Sequence, residues 1–524
     1  MASPLAYLRG VEWRIRGLKL RSRYRFSALM GHASHAYDLW MASREEAGQP
    51  PAEPASDSAA KIFIVIDCRD GAEGFSGSLE SVAAVVDADV EIAVLGEHTP
   101  AKDGMRCFAD VTSFAAWAKE RNAAQKGAQF WAISINAGDR LAPDAIAAYR
   151  TSIDSAPAAR LHYSDDDLMN SRGRRYSPHF KPAWNSELAR HLDYIGNSCI
   201  FACAPDKIDD GWPHSAFDLI SSDPVHVPKM LHHRRSRPEP RVPAAVTADQ
   251  PLPHVSIVIP SRDQRDILRT CISGLNRTRY PSFDVTIIDN ETTAIDAMDY
   301  LEELKEEGIE VVRIGGAFNY AAMHNEVIPS LAGPLICLLN NDIEVLEENW
   351  LEVMASRALE ETVGAVGAKL LYPDHSIQHA GIVMGLGGGA GHAHRLQDND
   401  EKGYFARAHL PQYVSAVTAA CMVLRKDRFL NVGGFDADNF AVAFNDVDLC
   451  LKLQMQGWHN LYEPRACLVH HESKSRGLDS KGAKKIRFAG ELAALKRIWA
   501  TDLKGDPYHH PELSPFSEQF VPRL

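Results

Sequence analysis

Short apolar runs rich in β-branched residues occur in two successive series along the chain, and helical patterns separate them. The first series reads "KIFIVIDC", "DVEIAVLG" and "QFWAISIN", and the second reads "HVSIVIPSRD", "FDVTIIDN", "IEVVRIG" and "GPLICLLNND". Runs of this length are typical of buried strands. Their alternation with helices, such as those predicted over residues 263–277 and 296–307, is typical of parallel sheets. The sequence therefore predicts an α/β protein with two tandem modules, each built on a mostly parallel sheet.

Two Pro-rich segments, residues 42–60 and 234–253, divide the chain. We predict a basic helix and linker over residues 1–60, a first module over 61–233, a linker over 234–253, a second module over 254–480, and a C-terminal helix and tail over 481–524. The helix is predicted from the 3.6-residue apolar spacing of "AKKIRFAGELAALKRIWATDL". The tail from Pro507 onward is expected to lie on the surface.

The composition excludes several classes of protein. A net charge of −13 argues against a general nucleic-acid-binding protein, and no apolar run approaches the roughly 18 residues of a membrane-spanning helix. The nine cysteines are scattered without a CxxC pair, which favours reduced thiols in the cytoplasm over a disulfide framework. We expect no signal peptide, because the first residues lack an apolar core.

The start of the chain is locally basic. The segment "YLRGVEWRIRGLKLRSRYRF" carries seven Arg or Lys residues against one acid, with apolar residues between them. An amphipathic basic helix of this kind can lie on anionic lipid, which would place the protein peripherally on the inner face of the plasma membrane. The alternative is a surface helix that covers a neighbouring module.

Polar residues follow three strands of the second series, at the point where each strand ends. They are Ser261 and Asp263, then Asp289, then Asn340, Asn341 and Asp342. Each alone could cap a helix or fill a turn, but ligands gather at the carboxyl ends of parallel strands. Because the chain has no P-loop and no GxGxxG after the first strand, we expect a divalent cation to hold any diphosphate.

From "PHVSIVIPSRD" to "HHESKSRG" the second module resembles the family-2 glycosyltransferases of the GT-A fold, in particular bacterial enzymes of O-antigen, capsule and rhamnan assembly. The motifs that carry this resemblance include "FNYAAMHNEV", "LLNNDIEVL", "IQHAGIVMGLGGGAGHAHR", "VSAVTAACMVLRK", "GGFDADNFAVAFNDVDLCLKL" and "DPYHHPELSP". It implies Rossmann-like GT-A modules that transfer a sugar from a nucleotide-sugar, such as a UDP- or dTDP-sugar, to a glycan or lipid-linked glycan acceptor.

The resemblance also implies roles for individual residues. Asn340–Asn341–Asp342 matches the family's DxD motif, which places Asn340 and Asp342 on Mn²⁺ or Mg²⁺, although Asn340 departs from the usual aspartate. His470 matches the late metal-binding histidine, and His471 is the second choice. The residues implied to bind the nucleotide-sugar are Ser261, Asp263, Asp289, Asn319, Asn325 and Asn341.

Asp446 matches the general base of the family's Glu-Asp pair, with Asn445 in place of the glutamate. The resemblance implies that Asp446 deprotonates an acceptor hydroxyl that attacks the anomeric carbon, so that a single displacement inverts this centre. An apolar surround would raise the pKa of this carboxyl and make it a better base. Asp448, two residues later, is expected to cap or orient the following helix.

Other motifs allow two interpretations. The glycine run over residues 385–391 could cradle a phosphate, but a flexible loop near the acceptor is the favoured prediction. His392 and His394 could bind metal, and solvated loop histidines are the commoner alternative. His379 could equally be a packed polar residue.

The first module resembles a second glycosyltransferase domain of the same subgroup, in phrases such as "GRRYSPHFKPAWNSELARHLDYIGNSCIF". It has Asn136 and Gly138 at the DxD positions and Ala216 at the base position, so only Asp139 and Asp218 remain nearby. Glycine and alanine can neither bind a metal nor accept a proton. Residues 165–167, three aspartates, are expected to form a solvated acidic turn rather than a metal site. We therefore expect a degenerate module that acts as a scaffold or acceptor platform.

The leading hypothesis is an inverting, metal-assisted hexosyl- or deoxyhexosyltransferase that extends a bacterial surface glycan. The alternative is a catalytically weak carbohydrate-binding or assembly subunit, which Asn340 and Asn445 favour. A nucleotidyltransferase would need a Gly-rich basic loop after the first strand, and "PSRDQRD" is not one.

Overall fold

The computed structural model describes residues 4–46, 60–96, 105–124, 130–214, 222–246, 251–471 and 482–524. The strands are β1 Lys61–Asp67, β2 Val90–Leu95, β3 Met105–Phe108, β4 Phe130–Asn136, β5 Arg140–Leu141, β6 Leu161–Met169, β7 Arg175–His179, β8 Cys199–Cys203, β9 Val225–Arg234, β10 Val255–Ser261, β11 Phe283–Asp289, β12 Glu310–Arg313, β13 Leu335–Leu339, β14 Ile343–Val345, β15 Val363–Leu371, β16 Ile377–His379, β17 Ile382–Met384, β18 Ala390–His392, β19 Gln412–Val414, β20 Cys421–Arg425 and β21 His459–His470. The helices are α1 Pro4–Ile15, α2 Lys19–Gly31, α3 Ala36–Glu46, α4 Phe75–Ala83, α5 Val111–Ala124, α6 Ala145–Ser155, α7 Ser186–Ala189, α8 Arg265–Leu275, α9 Ile295–Glu306, α10 Tyr320–Val327, α11 Trp350–Ala358, α12 Lys426–Asn431, α13 Asn445–Met455 and α14 Gly482–Trp499.

Two sheets of the described chain have the same strand order. The first runs β3-β2-β1-β4-β8-β6-β9-β5, and the second runs β12-β11-β10-β13-β20-β15-β21-β14. In each, the four strands at one end are parallel, while the strand after them is antiparallel. The predicted fold class, two tandem α/β modules of the GT-A type with a C-terminal helix, is confirmed.

The predicted strands are apolar along their whole length because helices and loops cover both faces of the sheets. Ile257 and Ile259 of β10 pack in one core cluster, and Val258 packs in a second cluster on the opposite face. Helix α8 buries Leu268 and Leu275 in the first of these clusters. Burial of each such side chain contributes about 1.5–3 kcal/mol.

The two modules contact each other directly. The Asn185 side chain, at the start of α7, donates to the Tyr413 carbonyl at 2.8 Å and accepts from the Tyr413 N–H at 3.2 Å. Arg357 of α11 pairs with Glu187 at 2.6 Å. These contacts hold an edge of the first module against the second.

The end of the chain is buried, which corrects the prediction of a surface tail. Leu513 and Phe520 lie in a cluster with Tyr37 and Trp40 of α3, Phe180 of the first module, and Val383 and Leu386 of the second. Helix α2 packs on the same segment so closely that a Cβ atom on Gly31 would lie 2.2 Å from the Val521 Cβ. The tail therefore fastens the N-terminal helices and both modules together.

The N-terminal segment forms a helical hairpin of α1 and α2, in which Ser22 donates to the Gly10 carbonyl at 2.9 Å. This hairpin covers a neighbouring module, as one of the two interpretations expected, and α1 also exposes Leu5, Leu8 and Ile15. Among the described residues, no helix combines the length and apolarity needed to cross a membrane.

Candidate functional site

Polar residues from three neighbouring strands converge at the carboxyl edge of the second sheet. Asn341, after β13, donates to the Ser261 hydroxyl at the end of β10, at 3.2 Å. Asp289, at the end of β11, accepts from the Thr292 N–H at 2.8 Å. These bonds shape the loops after the strands and place the three side chains at one edge.

Asp263 lies beside this group in a loop with a positive φ of 52°. Its carboxylate accepts from the backbone N–H groups of Thr293 and Ala294 at 2.6 and 2.8 Å, just before α9. The N–H groups of Ala294 and Thr293 lower the pKa of Asp263, so the side chain stays ionised. It ties the β10–α8 loop to the start of α9.

Asp342 and His470 meet because β14 and β21 are paired, with Ile343 opposite His470. The His470 Nε2 atom lies 3.0 Å from the Asp342 Oδ1 atom and 3.4 Å from the Asn340 amide nitrogen. Asp342 is only 6% exposed. His471 points elsewhere, with its Nε2 atom 2.8 Å from Glu344.

Gln378 is a site residue that sequence reasoning missed. Its Oε1 atom lies 2.7 Å from the His470 Nδ1 atom, so Nδ1–H can donate to Gln378, which turns the Nε2 atom toward Asp342. A bond of this kind fixes the tautomer of a metal-ligating histidine. Gln378 stands beside His379 in the motif "IQHAG", which is the one feature of the sequence that could have pointed to it. A glutamine carries no charge, so its residue type alone does not indicate a metal site.

The donor set of Asp342, His470 and Asn340 fits a divalent cation. It offers a carboxylate, an imidazole nitrogen with its lone pair directed by Gln378, and an amide whose oxygen a half-turn of the Asn340 side chain would present. Carboxylate and amide oxygens suit Mg²⁺ and Mn²⁺, and imidazole adds preference for Mn²⁺.

Asp446 lies in the first turn of α13, two residues after Phe444, which has a left-handed φ of 62°. Its carboxylate accepts from the N–H groups of Val447 at 2.9 Å and Ala419 at 3.3 Å. Burial raises the pKa of Asp446. Asn445, beside it, is buried and donates to the Val442 carbonyl at 3.1 Å, so its side chain stabilises the turn that precedes the helix.

One short segment connects Asp446 to the DxD-like residues. The Ala419 N–H contacts Asp446, and the carbonyl of the next residue, Ala420, accepts from the Asn340 N–H at 2.9 Å. Asp446 and Asn340 are therefore both hydrogen-bonded to the dipeptide Ala419–Ala420. The structure therefore places the predicted base next to the segment that pairs with Asn340.

The side chains of Asn319 and Asn325 form hydrogen bonds with the loop that precedes α13. Asn319 caps α10 by accepting from Ala322 N–H and donates to the Ala437 carbonyl at 3.1 Å. Asn325 exchanges two bonds with the backbone of Phe435, at 2.8 and 2.9 Å. Their contact with a nucleotide-sugar stays a prediction, since these bonds already hold both amides.

Asp448 orients α13 by contacts with other side chains rather than by capping. Its carboxylate accepts from the Trp499 indole N–H of α14 at 2.9 Å. It also pairs with Lys452, one turn later, at 3.0 Å. The helix that carries Asp446 is thereby tied to the C-terminal helix.

The glycine run is a packed turn between β17 and β18. A Cβ atom on Gly387 would lie 2.5 Å from the Tyr24 hydroxyl, and one on Gly389 would lie 2.8 Å from Leu492. The glycines therefore permit close approach of α2 and α14 to the turn, which corrects the prediction of a flexible loop.

The histidines near this turn are packed rather than solvated. His394 is 1% exposed, stacks on Phe520, and has its Nδ1 atom 2.9 Å from Gln397, which corrects the prediction of a solvated loop histidine. His379 is buried, and its Nδ1 atom lies 2.9 Å from that of His392. Burial holds the pKa of His379 well below its usual range, as expected for a packed polar residue.

In the first module, the Arg235 side chain fills the space where a side chain on residue 138 would lie. Gly138 has a φ of 95°, and a Cβ atom there would lie 2.2 Å from the Arg235 side chain. The Arg235 N–H donates to Asp139 at 2.8 Å, and burial raises the pKa of Asp139 to about 6. Ala216 and Asp218 lie outside the described residues.

The repeated topology extends this comparison to the metal-site histidine. Arg140 stands two residues after Gly138 and pairs with His233. In the second module, Glu344 stands two residues after Asp342 and pairs with Val469. The residues that follow these partners are Arg234 and His470. Register therefore places Arg234, a permanent cation, at the position that His470 holds in the second module.

Asp165, Asp166 and Asp167 are buried in β6, which corrects the prediction of a solvated turn. Asp166 pairs with Lys181 at 2.7 Å, and Asp167 pairs with Arg175 at 2.6 Å. Buried carboxylates are tolerated only with such partners. The partners come from later segments of the chain.

Asp165 forms a third buried group with His226 and His510, at 2.9 and 2.8 Å. The His510 Nδ1 atom accepts from the Glu512 N–H at 3.0 Å. A neutral imidazole that accepts at Nδ1 carries its proton on Nε2, so His510 donates to Asp165 and has no Nε2 lone pair for a metal. The two histidines hold the pKa of Asp165 at about 2 against the opposing effect of burial, and the group locks the tail to the first module.

Comparisons with known proteins identify the second module. Residues 253–489 match the family model described as "Glycosyltransferase like family 2". The chain is 34% identical to the y4gI protein of Sinorhizobium fredii over 73% of this chain and 48% of that protein. It is 29% identical to the O-antigen biosynthesis protein RfbC of Myxococcus xanthus over 91% of this chain and 42% of that protein. The chain thus spans less than half the length of these two relatives.

Among solved structures, the chain is similar to a mannosyltransferase from Pyrobaculum calidifontis in complex with GDP-Man and Mn²⁺. The identity is 16% and the TM-score 0.37, over 51% of this chain and 70% of that one. The family match over residues 253–489 coincides with the second sheet and with the converging polar residues at its edge. The second module, residues 253–489, therefore matches glycosyltransferase family 2.

Proposed function

We propose that the protein transfers a sugar from a UDP- or dTDP-sugar to a hydroxyl of a growing bacterial surface glycan, with inversion at the anomeric carbon. The observation that carries this proposal is the position of Asp446. Its carboxylate has a pKa raised by burial and shares the Ala419–Ala420 segment with Asn340, which lies beside Asp342 and His470.

In this proposal the edge of the second sheet binds the donor. Ser261, Asp263 and Asp289 lie where the base and ribose would bind, and Asn341 holds the Ser261 hydroxyl. Asn319 and Asn325 position the loop before α13 through their backbone bonds. Asn340, Asp342 and His470 would hold Mn²⁺ or Mg²⁺, which when bound neutralises the donor diphosphate.

The transfer step follows from the chemistry of Asp446. Its carboxylate accepts the proton of the acceptor hydroxyl as that oxygen forms a bond to the anomeric carbon. The bond from this carbon to the diphosphate oxygen breaks in the same displacement, and the electron pair leaves with the diphosphate. No separate nucleophile is required, so one displacement inverts the centre.

A catalytically weak carbohydrate-binding or assembly subunit is the second candidate. Asn340 and the buried, bonded Asn445 favour it, because each replaces a carboxylate of the family pattern. Asp342, Asp446 and His470 favour turnover. Incubation of the purified protein with UDP- and dTDP-sugars and Mn²⁺ decides between them, since an active enzyme hydrolyses its donor slowly and a binding subunit does not.

We further propose that the protein works in the cytoplasm, on the inner face of the plasma membrane. Helix α1 exposes Leu5, Leu8 and Ile15 beside basic residues, as an interfacial helix does. Its binding to anionic vesicles provides the test.

We expect Gln378→Leu to weaken Mn²⁺ binding about 10- to 100-fold. Without the acceptor at Oε1, the His470 ring loses the bond that holds its proton on Nδ1 and leaves Nε2 available to a metal ion. Calorimetric titration of the full chain with Mn²⁺ measures the effect. Gln378→Glu keeps an oxygen acceptor and is the control: if it does not bind Mn²⁺ better than Gln378→Leu, the orienting role is wrong.

We expect Asp139→Asn to leave sugar transfer within a few-fold of the wild-type rate. Arg235 already fills the neighbouring space at Gly138, and an asparagine oxygen still accepts from the Arg235 N–H. The same outcome is predicted for Asp218. Steady-state transfer assays of Asp139→Asn are the measurement. A fall in the transfer rate greater than about tenfold, or 1.4 kcal/mol, would show that the first module takes part in catalysis.

A further inference from the structure

Helix α14 contacts the chain on both sides of Asp446. Before Asp446, the Phe488 ring of α14 packs on the Phe444 ring, with the ring centroids 5.3 Å apart. After it, the Trp499 indole N–H donates to the Asp448 carboxylate at 2.9 Å. The first turn of α13, which carries Asp446, is therefore held by a helix that comes later in the sequence.

Glu491, on the same helix, binds the turn that leads into α13. Its Oε1 atom accepts from the Val442 N–H at 2.9 Å, and its Oε2 atom accepts from the Ala443 N–H at 3.2 Å. Glu491 is only 4% exposed, and burial of a carboxylate is costly unless hydrogen bonds or charges replace its water. The Nε atom of Arg487, one turn earlier, lies 3.6 Å away. Both oxygens of this buried carboxylate thus contact the backbone of the turn.

Asn445 holds the same turn from the other side. Its amide nitrogen donates to the Val442 carbonyl at 3.1 Å, while the N–H of the same peptide group, that of Ala443, donates to Glu491. A glutamate at position 445 would have no hydrogen to donate to that carbonyl when ionised. The amide of Asn445 and the carboxylate of Glu491 therefore fix one peptide group, just before Asp446.

Phe444, between this peptide group and α13, has a left-handed backbone with φ 62° and ψ 7°. A bulky residue rarely adopts that conformation, and it persists only where the surrounding structure determines it. Here Glu491 holds the two residues before Phe444, and Phe488 packs on its ring. Because Phe444 turns the chain into α13, its conformation sets the direction from which Asp446 enters the site.

We propose that Glu491 is a positioning residue for the transfer reaction, which fixes the Val442–Ala443 peptide group from α14 and thereby places the Asp446 carboxylate against the acceptor hydroxyl. The inference rests on the proposed function and adds to it a residue outside 253–489, the range of the family match. Glu491 touches no reacting atom and acts through the backbone. Displacement of a reacting group by about 1 Å can cost about 100-fold in rate, so loss of Glu491 should appear in kcat.

Hydrogen exchange of the full chain, followed by mass spectrometry, tests the contact without any substrate. Glu491→Ala should speed exchange at least tenfold in peptides that contain the Val442 and Ala443 amides, and leave peptides from β10 unchanged. Glu491→Gln keeps one accepting oxygen and should give an intermediate rate. Equal exchange at these amides in the wild type and both variants overturns the proposal.

Steady-state kinetics, with the nucleotide-sugar that the wild-type chain hydrolyses, test the positioning role. Glu491→Ala should lower kcat at least tenfold, while the affinity and the number of sites for UDP or dTDP in Mn²⁺ stay within twofold. Glu491→Gln should be at least threefold faster than Glu491→Ala. Asp502→Ala, which removes an exposed carboxylate just after α14, should keep the wild-type kcat. If kcat and the number of nucleotide sites fall together, Glu491 only stabilises the fold, and the proposal is overturned.

The pH profile of the same reaction responds to the position of Asp446 and not to the amount of folded protein. Burial raises the pKa of Asp446, and the N–H groups of Val447 and Ala419 lower it. A shifted start of α13 would weaken the Ala419 bond, so the pKa should rise and the acidic limb of Glu491→Ala should move to higher pH. A lowered kcat with the acidic limb at its wild-type pH would show that Asp446 is still in place, and would overturn the proposal.

Failure of this inference and failure of the proposed function give different results. A wild-type chain that hydrolyses neither UDP- nor dTDP-sugars contradicts the proposed function and this inference with it. An active wild type whose kcat is unchanged in Glu491→Ala overturns the inference alone.

Discussion

Replacing Asp446 by asparagine is expected to lower sugar transfer by at least about 100-fold, since a positioned general base typically contributes 10²–10⁴-fold. Asparagine keeps the size of the side chain, and its one oxygen can still accept from the Val447 N–H, the shorter of the two bonds, so the turn should remain. The substitution removes the carboxylate that takes the proton from the acceptor hydroxyl. Nucleotide-sugar affinity should stay within about twofold, because the donor-binding residues lie at other strand ends.

Transfer and donor binding are measured separately, by product formation and by calorimetry. Asp438→Asn is the matched control, because Asp438 is an exposed carboxylate in the loop that precedes α13. It should retain the wild-type rate. An Asp446→Asn enzyme that keeps more than about a tenth of the activity would exclude Asp446 as the base.

The pH dependence of transfer provides a second measurement of the same residue. Burial raises the pKa of Asp446, and only the ionised carboxylate accepts a proton. The rate should therefore fall as the pH drops through a pKa above the ordinary range of an aspartate, and that acidic limb should be absent from the residual activity of Asp446→Asn.

The second large effect is expected at the metal ligands. Asp342→Ala and His470→Ala should each weaken binding of Mn²⁺ and of the nucleotide-sugar together, by at least about tenfold, because both side chains would contact one cation that also touches the diphosphate. The His470 Nε2 atom and the Asp342 Oδ1 atom already lie 3.0 Å apart. Titration with UDP or dTDP, with and without Mn²⁺, measures both affinities.

His471→Ala is the control for this pair. His471 stands next to His470 in the sequence, but its side chain contacts Glu344 instead, so metal and nucleotide affinities should not change. If Asp342→Ala binds nucleotide equally well with and without Mn²⁺, as tightly as the wild type, the assignment of the metal site is wrong.

The two modules show how one topology can keep its fold and lose a site. Both sheets have the same strand order, yet the first holds Arg235 against Gly138 and Arg234 at the register position of His470. Fixed guanidinium groups occupy the region where the second module has its candidate cation ligands. The fold persists because its strands and cores do not depend on those few positions.

Sequence by itself determined the fold class and most of the candidate site. Strand runs such as "HVSIVIP" are local patterns whose period and length identify a buried strand without knowledge of its partners. Polar residues that end neighbouring parallel strands must meet at one edge of the sheet, which is why Ser261, Asp289 and Asn341 could be grouped in advance. The family motifs then singled out Asp342, Asp446 and His470.

Only the tertiary structure decided which polar residues are buried and what they contact. Asp166 is buried because Lys181 pairs with it, and Asp165 because His510, from the far end of the chain, donates to it. Gln378 acts on His470 across 92 residues of sequence. Whether a charge or amide is solvated depends on partners that only the fold brings within hydrogen-bond distance, and no local pattern of residues encodes that proximity.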